Sequence, residues 1–174
     1  MKLKFMPTII FRETPKVTFF DAGLGASNCC DVVIHSEEAI SPPDDFKDEQ
    51  YYVHNHQIDH NLVITGERTF VLINPSWDEP HHINYLNRSM GALEIPIGTY
   101  HRSISGKEGS IVLNQPIRDK FFDSANEFIP QKLDKISLVK ARNSKPVFWV
   151  YENNEIKRFL FNPLERKIKT PCLK

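Results

Sequence analysis

The chain has 174 residues, of which 40% are hydrophobic and 25% charged, and its 22 Lys+Arg balance 22 Asp+Glu. That length fits one domain, or one domain with arms, able to bury an ordinary core without staples. The balanced charge provides no global field for nucleic acid or an anionic membrane, and argues against both as partners. Cys29, Cys30 and Cys172 make neither an even framework nor a CxxC pair, and read as free, reduced thiols of a cytoplasmic protein. The N-terminal apolar run is interrupted by Pro7, Arg12 and Glu13 and lacks the apolar core of a signal peptide. No stretch approaches the roughly 20 apolar residues of a membrane span.

In chain order, short β-branched and aromatic runs at residues 8–11, 17–20 and 31–35 read as strands, and His35 as a strand-end residue. Ser41-Pro42-Pro43-Asp44-Asp45 marks a loop. Further strands are expected at 51–56, 61–65 and 69–73. Residues 74–88 (NPSWDEPHHINYLNR) are polar and proline-containing, and read as a long loop or irregular hairpin in which His81 and His82 are solvated. Strands at 92–95, 102–105 and 110–114 follow, the last two joined by a tight turn at 107–109. Helical periodicity is confined to 119–128 and 133–139. Residues 147–151 and 157–161 form a hairpin closed at Glu152-Asn153-Asn154-Glu155, where Asn tolerates positive φ. Many short strands with little helix indicate an all-β sandwich or barrel. The organisation expected is a single domain, 1–174, with a functional core at about 50–118, N-terminal strands in 1–49 and a C-terminal extension at 119–174.

Within the core, two histidine-bearing segments stand out: Val53-His54-Asn55-His56-Gln57-Ile58-Asp59-His60 and Pro96-Ile97-Gly98-Thr99-Tyr100-His101. In a strand, residues i and i+2 share a face, so His54 and His56 can offer two imidazoles to one ion. His60 lies about 13 Å further along an extended chain and serves only if the chain turns at 57–59, with Asp59 as a turn residue. The Pro96–Gly98 bend delivers His101 from a separate strand.

These segments resemble the two motifs of the cupin superfamily: HxH followed by a carboxylate and a glycine (His54, His56, with His60 at the carboxylate position, then Gly66), and PxGxxH (Pro96, Gly98, His101). The chain departs from them at Asp48, Ser105 and a long inter-motif spacer. The resemblance implies a double-stranded β-helix (jelly-roll) barrel with N- and C-terminal arms. It also implies one divalent transition metal ion (Zn, Ni, Fe, Co, Mn or Cu) on His54, His56, His60 and His101, and a homodimer paired through edge or N-terminal strands.

Four imidazoles would leave the ion's full charge uncancelled, favouring Lewis-acid chemistry over oxygenation. The function expected is a metal-dependent enzyme, of isomerase, cyclase, lyase or dioxygenase type, acting on a small oxygen-rich molecule. The alternative is a small-ligand or sugar-binding cupin with a structural metal; a nucleotide-sugar enzyme is a third reading. Tyr52, Arg68, Tyr100, Arg102, Asn114 and Arg118 are the candidate auxiliary groups, each of which ordinary strand or surface decoration also explains. Asn114 and Arg118 share strand parity.

Overall fold

Two long strands organise the protein in a computed structural model that describes residues 3–46 and 48–168. The strands are β1 (Phe5–Met6), β2 (Ile9–Thr14), β3 (Val17–Asp21), β4 (Asp31–His35), β5 (Ala39–Ser41), β6 (Gln50–Tyr51) and the long β7 (Gln57–Ile73). Then come β8 (His81–Leu86), β9 (Ala92–Ile95), the long β10 (Tyr100–Asn114), β11 (Ile117–Arg118) and β12 (Gln131–Lys132). A hairpin of β13 (Val147–Glu152) and β14 (Glu155–Phe159) follows, and helices α1 (Ser124–Glu127), α2 (Ile136–Arg142) and α3 (Pro163–Ile168) are short. The jelly-roll expectation is met: the protein is mostly β, with a curled sheet.

The curl comes from β7 and β10, which pair antiparallel along almost their whole lengths. The first half of β7 also pairs with β9 and its second half with β8, so one strand serves two layers. At the bend, Gly66 and Gly109 have φ of 73° and 66°. A Cβ on Gly66 would lie 2.6 Å from the Gly109 carbonyl oxygen, and one on Gly109 would lie 2.1 Å from that of His35. Only glycine allows three backbones to approach this closely. The expected breaks at 66–68 and 107–109 are therefore bends within continuous strands; ladder hydrogen bonds resume after each glycine.

Strand parity divides the second half of β7. Phe70 and Leu72 point inward to a core with Val63, Trp77, Leu86, Leu93, Ile95 and Val112. Val71 and Ile73 point outward, where α2 covers them with Leu138 and Ala141. Of the two readings of 74–88, the hairpin holds and the long loop does not: residues 81–86 are a strand, because β8 pairs on both sides, antiparallel to β7 and parallel to β13. This pairing buries His81 and His82, each 2% exposed, against the expectation of solvated rings. Trp149 Nε1 donates to His82 Nδ1 at 3.1 Å.

The β13–β14 hairpin turns on Asn153 and Asn154 at φ 55° and 63°, as their tolerance of positive φ predicts. The helix expected over 119–128 shrinks to α1, capped by Asp123, whose carboxylate accepts from the Ala125 N–H at 3.0 Å. Cys29 and Cys30 are free thiols; Cys172 lies outside the described residues. No helix among the described residues is long and apolar enough to cross a membrane.

Candidate functional site

A strand over 51–56 was expected to place His54 and His56 side by side, but regular pairing stops at Tyr51. Beyond it, Tyr52 forms a single two-hydrogen-bond bridge to His101, its N–H donating to the His101 carbonyl at 2.9 Å and its carbonyl accepting at 2.8 Å. The Gly98 N–H then donates to the His54 carbonyl at 2.8 Å, which draws His54 against the bend expected at Pro96–Gly98. The rings of His54 and His101 stand 4.9 Å apart. These two predicted histidines converge.

His56 and His60 do not join them. Without a strand at 53–56 the parity argument lapses, and the His56 Nδ1 turns out to solvent against Asp119 Oδ2 at 3.0 Å. His60 lies inside β7, with no turn at 57–59, on the face opposite Asp59. Its Nδ1 donates to the Gln115 carbonyl at 3.0 Å, and its Nε2 lies 3.5 Å from Glu94 Oε2. Of the four imidazoles expected on one ion, the structure brings together two, His54 and His101.

The third member of the cluster is Asp59, which sequence reasoning had assigned to a turn. His54, Asp59 and His101 present ligand atoms all within 4.8 Å of one another, and all three are buried. Asp59 Oδ1 accepts from Gln57 Nε2 at 2.6 Å and from Asn114 Nδ2 at 2.8 Å. Its Oδ2 faces His54 Nε2 at 3.5 Å and His101 Nε2 at 3.7 Å. The signal that would have found it is alternation: Gln57, Asp59 and Asn61 are polar at every second position of one strand, and all three line the interior.

The tautomers follow from the partners. His54 Nδ1 lies 3.0 Å from the Glu127 carbonyl oxygen, and His101 Nδ1 lies 3.1 Å from that of Thr99. A carbonyl only accepts, so each Nδ1 carries a hydrogen and each ring turns its Nε2 towards Asp59 Oδ2. Burial, opposed by the nearby Asp59 charge, pushes His101 down to about 4, so this ring is neutral at neutral pH. The two Nε2 atoms and Asp59 Oδ2 thus face one another at 3.5 and 3.7 Å beside the cavity. A ligand hydroxyl or a cation placed among them would use hydrogen-bonding and ligating capacity that the protein leaves open. Two imidazoles and one carboxylate, each imidazole oriented by a backbone carbonyl, are also a donor set suited to a divalent transition ion.

The group forms one wall of a cavity of about 360 Å³ inside the barrel. Phe128 packs edge-on to His54 at 5.0 Å and Tyr52 stacks on it at 6.4 Å. Of the auxiliary candidates, Tyr52, Arg68, Asn114 and Arg118 line this cavity. Asn114 and Arg118 both face inward; Arg118 donates to Gln57 Oε1 at 2.6 Å and pairs with Asp31. Tyr100 and Arg102 do not, because parity turns them away from His101: Tyr100 joins the outer core, and Arg102 pairs with Asp44 at 2.8 Å.

No protein-family model matches the chain, and no curated protein sequence is significantly similar to it. Solved structures are similar in shape. QdtA, a sugar 3,4-ketoisomerase from Thermoanaerobacterium thermosaccharolyticum in complex with TDP, is 12% identical with a TM-score of 0.53, over 77% of this chain and 92% of that one. The dTDP-4-dehydrorhamnose 3,5-epimerase of Bacillus anthracis, with TDP and PPi bound, is 14% identical with a TM-score of 0.52, over 79% and 82%. ChmJ, a 3'-monoepimerase from Streptomyces bikiniensis in complex with dTDP-quinovose, is 9% identical with a TM-score of 0.52, over 69% and 65%. The chain shares their jelly-roll fold. At these identities the likeness is one of fold alone.

Proposed function

We propose that the protein binds a small, oxygen-rich molecule of the sugar class inside its barrel, with His54, Asp59 and His101 as the recognition centre. The observation that carries this reading is the convergence of two Nε2 atoms and Asp59 Oδ2 at the wall of an interior cavity. The hydroxyls of a polyol can both donate to and accept from such a group, and Tyr52, Phe70 and Phe128 supply apolar surface for its C–H faces. A volume of about 360 Å³ is near the lower end of the usual range for ligand pockets, roughly 300–1,000 Å³, and suits a monosaccharide-sized group. The sugar-nucleotide ligands of the similar folds agree with this class.

The test is calorimetric titration with monosaccharides and TDP-sugars. Saturable binding by any of them, lost in Asp59→Asn, is the outcome expected. Failure of the whole panel to bind at millimolar concentrations would overturn the reading.

A second reading, a metal-dependent enzyme, is favoured by the same donor set. His54, Asp59 and His101 are the residues that would hold the divalent ion, which when bound would polarise a ligand oxygen as a Lewis acid. Elemental analysis of protein purified without a metal-affinity tag tests it. One ion per chain, lost in His101→Ala and kept in His56→Ala, is expected; metal-free protein that still binds sugar would leave the ligand-binding reading alone.

The expected homodimer belongs to the same proposal. Ile9, Ile10 and Phe11 on β2, and Val32 and Ile34 on β4, are exposed apolar side chains on strands that could meet a second copy. Analytical ultracentrifugation giving only monomer at high concentration would contradict it.

A further inference from the structure

Two arginines are buried among the described residues, and their surroundings differ. Arg102, 3% exposed, has Asp44 at 2.8 Å and Glu49 at 3.9 Å. Arg68, 1% exposed, lines the cavity and has no carboxylate within ion-pair distance among the described residues. Its Nε donates to Ser110 Oγ at 2.7 Å and its Nη2 to the Ser110 carbonyl at 3.1 Å. Its Nη1 donates to His35 Nε2 at 3.1 Å and to Ser103 Oγ at 3.3 Å.

Every one of these partners is neutral. Because His35 Nε2 accepts, its Nδ1 carries the hydrogen and donates to Ser105 Oγ at 2.9 Å, whose hydroxyl in turn donates to the Glu37 carbonyl at 2.8 Å. Burial, then the Arg68 charge, push His35 down to about 4, while burial brings Arg68 itself only to about 10. The cavity wall therefore carries a positive charge with no carboxylate in direct contact, Asp59 lying further along the strands, and an anion seated against it would relieve that arrangement. Four of the five guanidinium N–H groups are engaged, which leaves one on Nη2, with the Ser103 hydroxyl beside the cavity as a further donor.

Strand register sets the distance between this charge and the histidine group. Arg68, Phe70 and Leu72 share one face of β7, and His101 and Ser103 share the facing side of β10. The guanidinium reaches Ser103, two residues from His101, so the two polar centres are separated by about 7 Å along the strand, roughly the length of one pyranose ring with its substituent. The balance of charge then selects the anion. Arg68 can neutralise one negative charge, whereas a phosphate beside the Asp59 carboxylate would leave the cavity with an excess of negative charge.

We propose that the cavity's ligand is a sugar acid of the hexuronate type, its carboxylate against Arg68 and its hydroxyls against the His54–Asp59–His101 group. This deepens, and rests on, the sugar-binding reading above.

The experiment is isothermal titration calorimetry of the full chain with glucuronate, galacturonate, glucose, galactose and glucose 6-phosphate, at one pH and ionic strength. At least one uronate is expected to bind wild type tenfold or more tightly than its neutral hexose. Arg68→Met should bring that uronate down to the value of its neutral hexose in the same variant, with Arg68→Lys, which keeps the charge but not the planar fork, intermediate. Equal binding of hexose and uronate by wild type overturns the role of Arg68 while leaving sugar binding intact, and needs no variant to fold. Preference for the sugar phosphate, or discrimination that survives in Arg68→Met, likewise overturns the carboxylate assignment. Silence across the whole panel overturns the sugar-binding reading, and this one with it.

Discussion

His54 and His56 are two residues apart and chemically identical, yet they occupy opposite worlds. His54 is 4% exposed, tethered through its carbonyl to Gly98 and through its ring to Glu127, and faces the Asp59 carboxylate at 3.5 Å. His56 stands at the surface in a hydrogen-bonded ion pair with Asp119. The inner ring turns its Nε2 to the cavity, and the outer one already has a partner and solvent besides. Function is therefore expected where hydrogen-bonding capacity is left over in a buried place, and not merely where histidines cluster in sequence.

The sharpest break in this comparison comes from ligand binding. Asp59→Asn should weaken binding of a sugar ligand by about ten- to a hundredfold, the value of a charge-assisted hydrogen bond, while His56→Ala stays within twofold of wild type in the same titration. Equal losses in both variants would erase the distinction between inner and outer groups.

Stability should divide the two regions next. Asp59→Ala strips the acceptor from the buried amides of Gln57 and Asn114, and an expected loss of about 2–4 kcal/mol in denaturant unfolding follows from two stranded donors. His56→Ala should leave the unfolding midpoint where it was.

Acid separates the interior from the surface in the other direction. His35 and His82 are each pushed down to about 4, chiefly by burial. Because the unfolded chain takes up these protons first, stability is intact above the ordinary histidine range and falls as pH drops from there towards 4. Melting temperature measured across that window should decline, and the decline should lessen in His82→Phe if that variant folds.

The smallest effect is at the surface pair. The hydrogen bond to Asp119 raises His56, and the hydrogen bond from His56 lowers Asp119. The raised histidine contributes below its ordinary range and loses that contribution as pH rises through its folded value. The lowered carboxylate contributes above its ordinary range and loses it on acidification. The pair is thus strongest between the ordinary carboxylate and histidine ranges. Proton NMR should show the His56 titration moving down in Asp119→Asn; an unchanged curve would remove the pair.

The same contrast explains what could be read in advance. The strands at 31–35 and 92–95 and the hairpin turning on Asn153-Asn154 were legible because their patterns are local: β-branched runs and residues that accept positive φ. His54 and His101 were found through a resemblance in spacing, and their convergence depends on a bend at Pro96–Gly98 that the sequence displays. Asp59 was missed because a polar residue between histidines looks like a turn until the strand through it is known.

Length, balanced charge, strand-rich patterning and the two histidine segments are properties of the sequence itself, since each follows from residue type and near-neighbour spacing. Which histidines meet, which side Asp59 takes, and that Arg68 is buried without a counter-charge were decided by tertiary structure. They depend on strand register across residues distant in the chain, and a shift of one residue exchanges the inner face for the outer. Local propensity carries no information about that choice; pairing between β7 and β10 does.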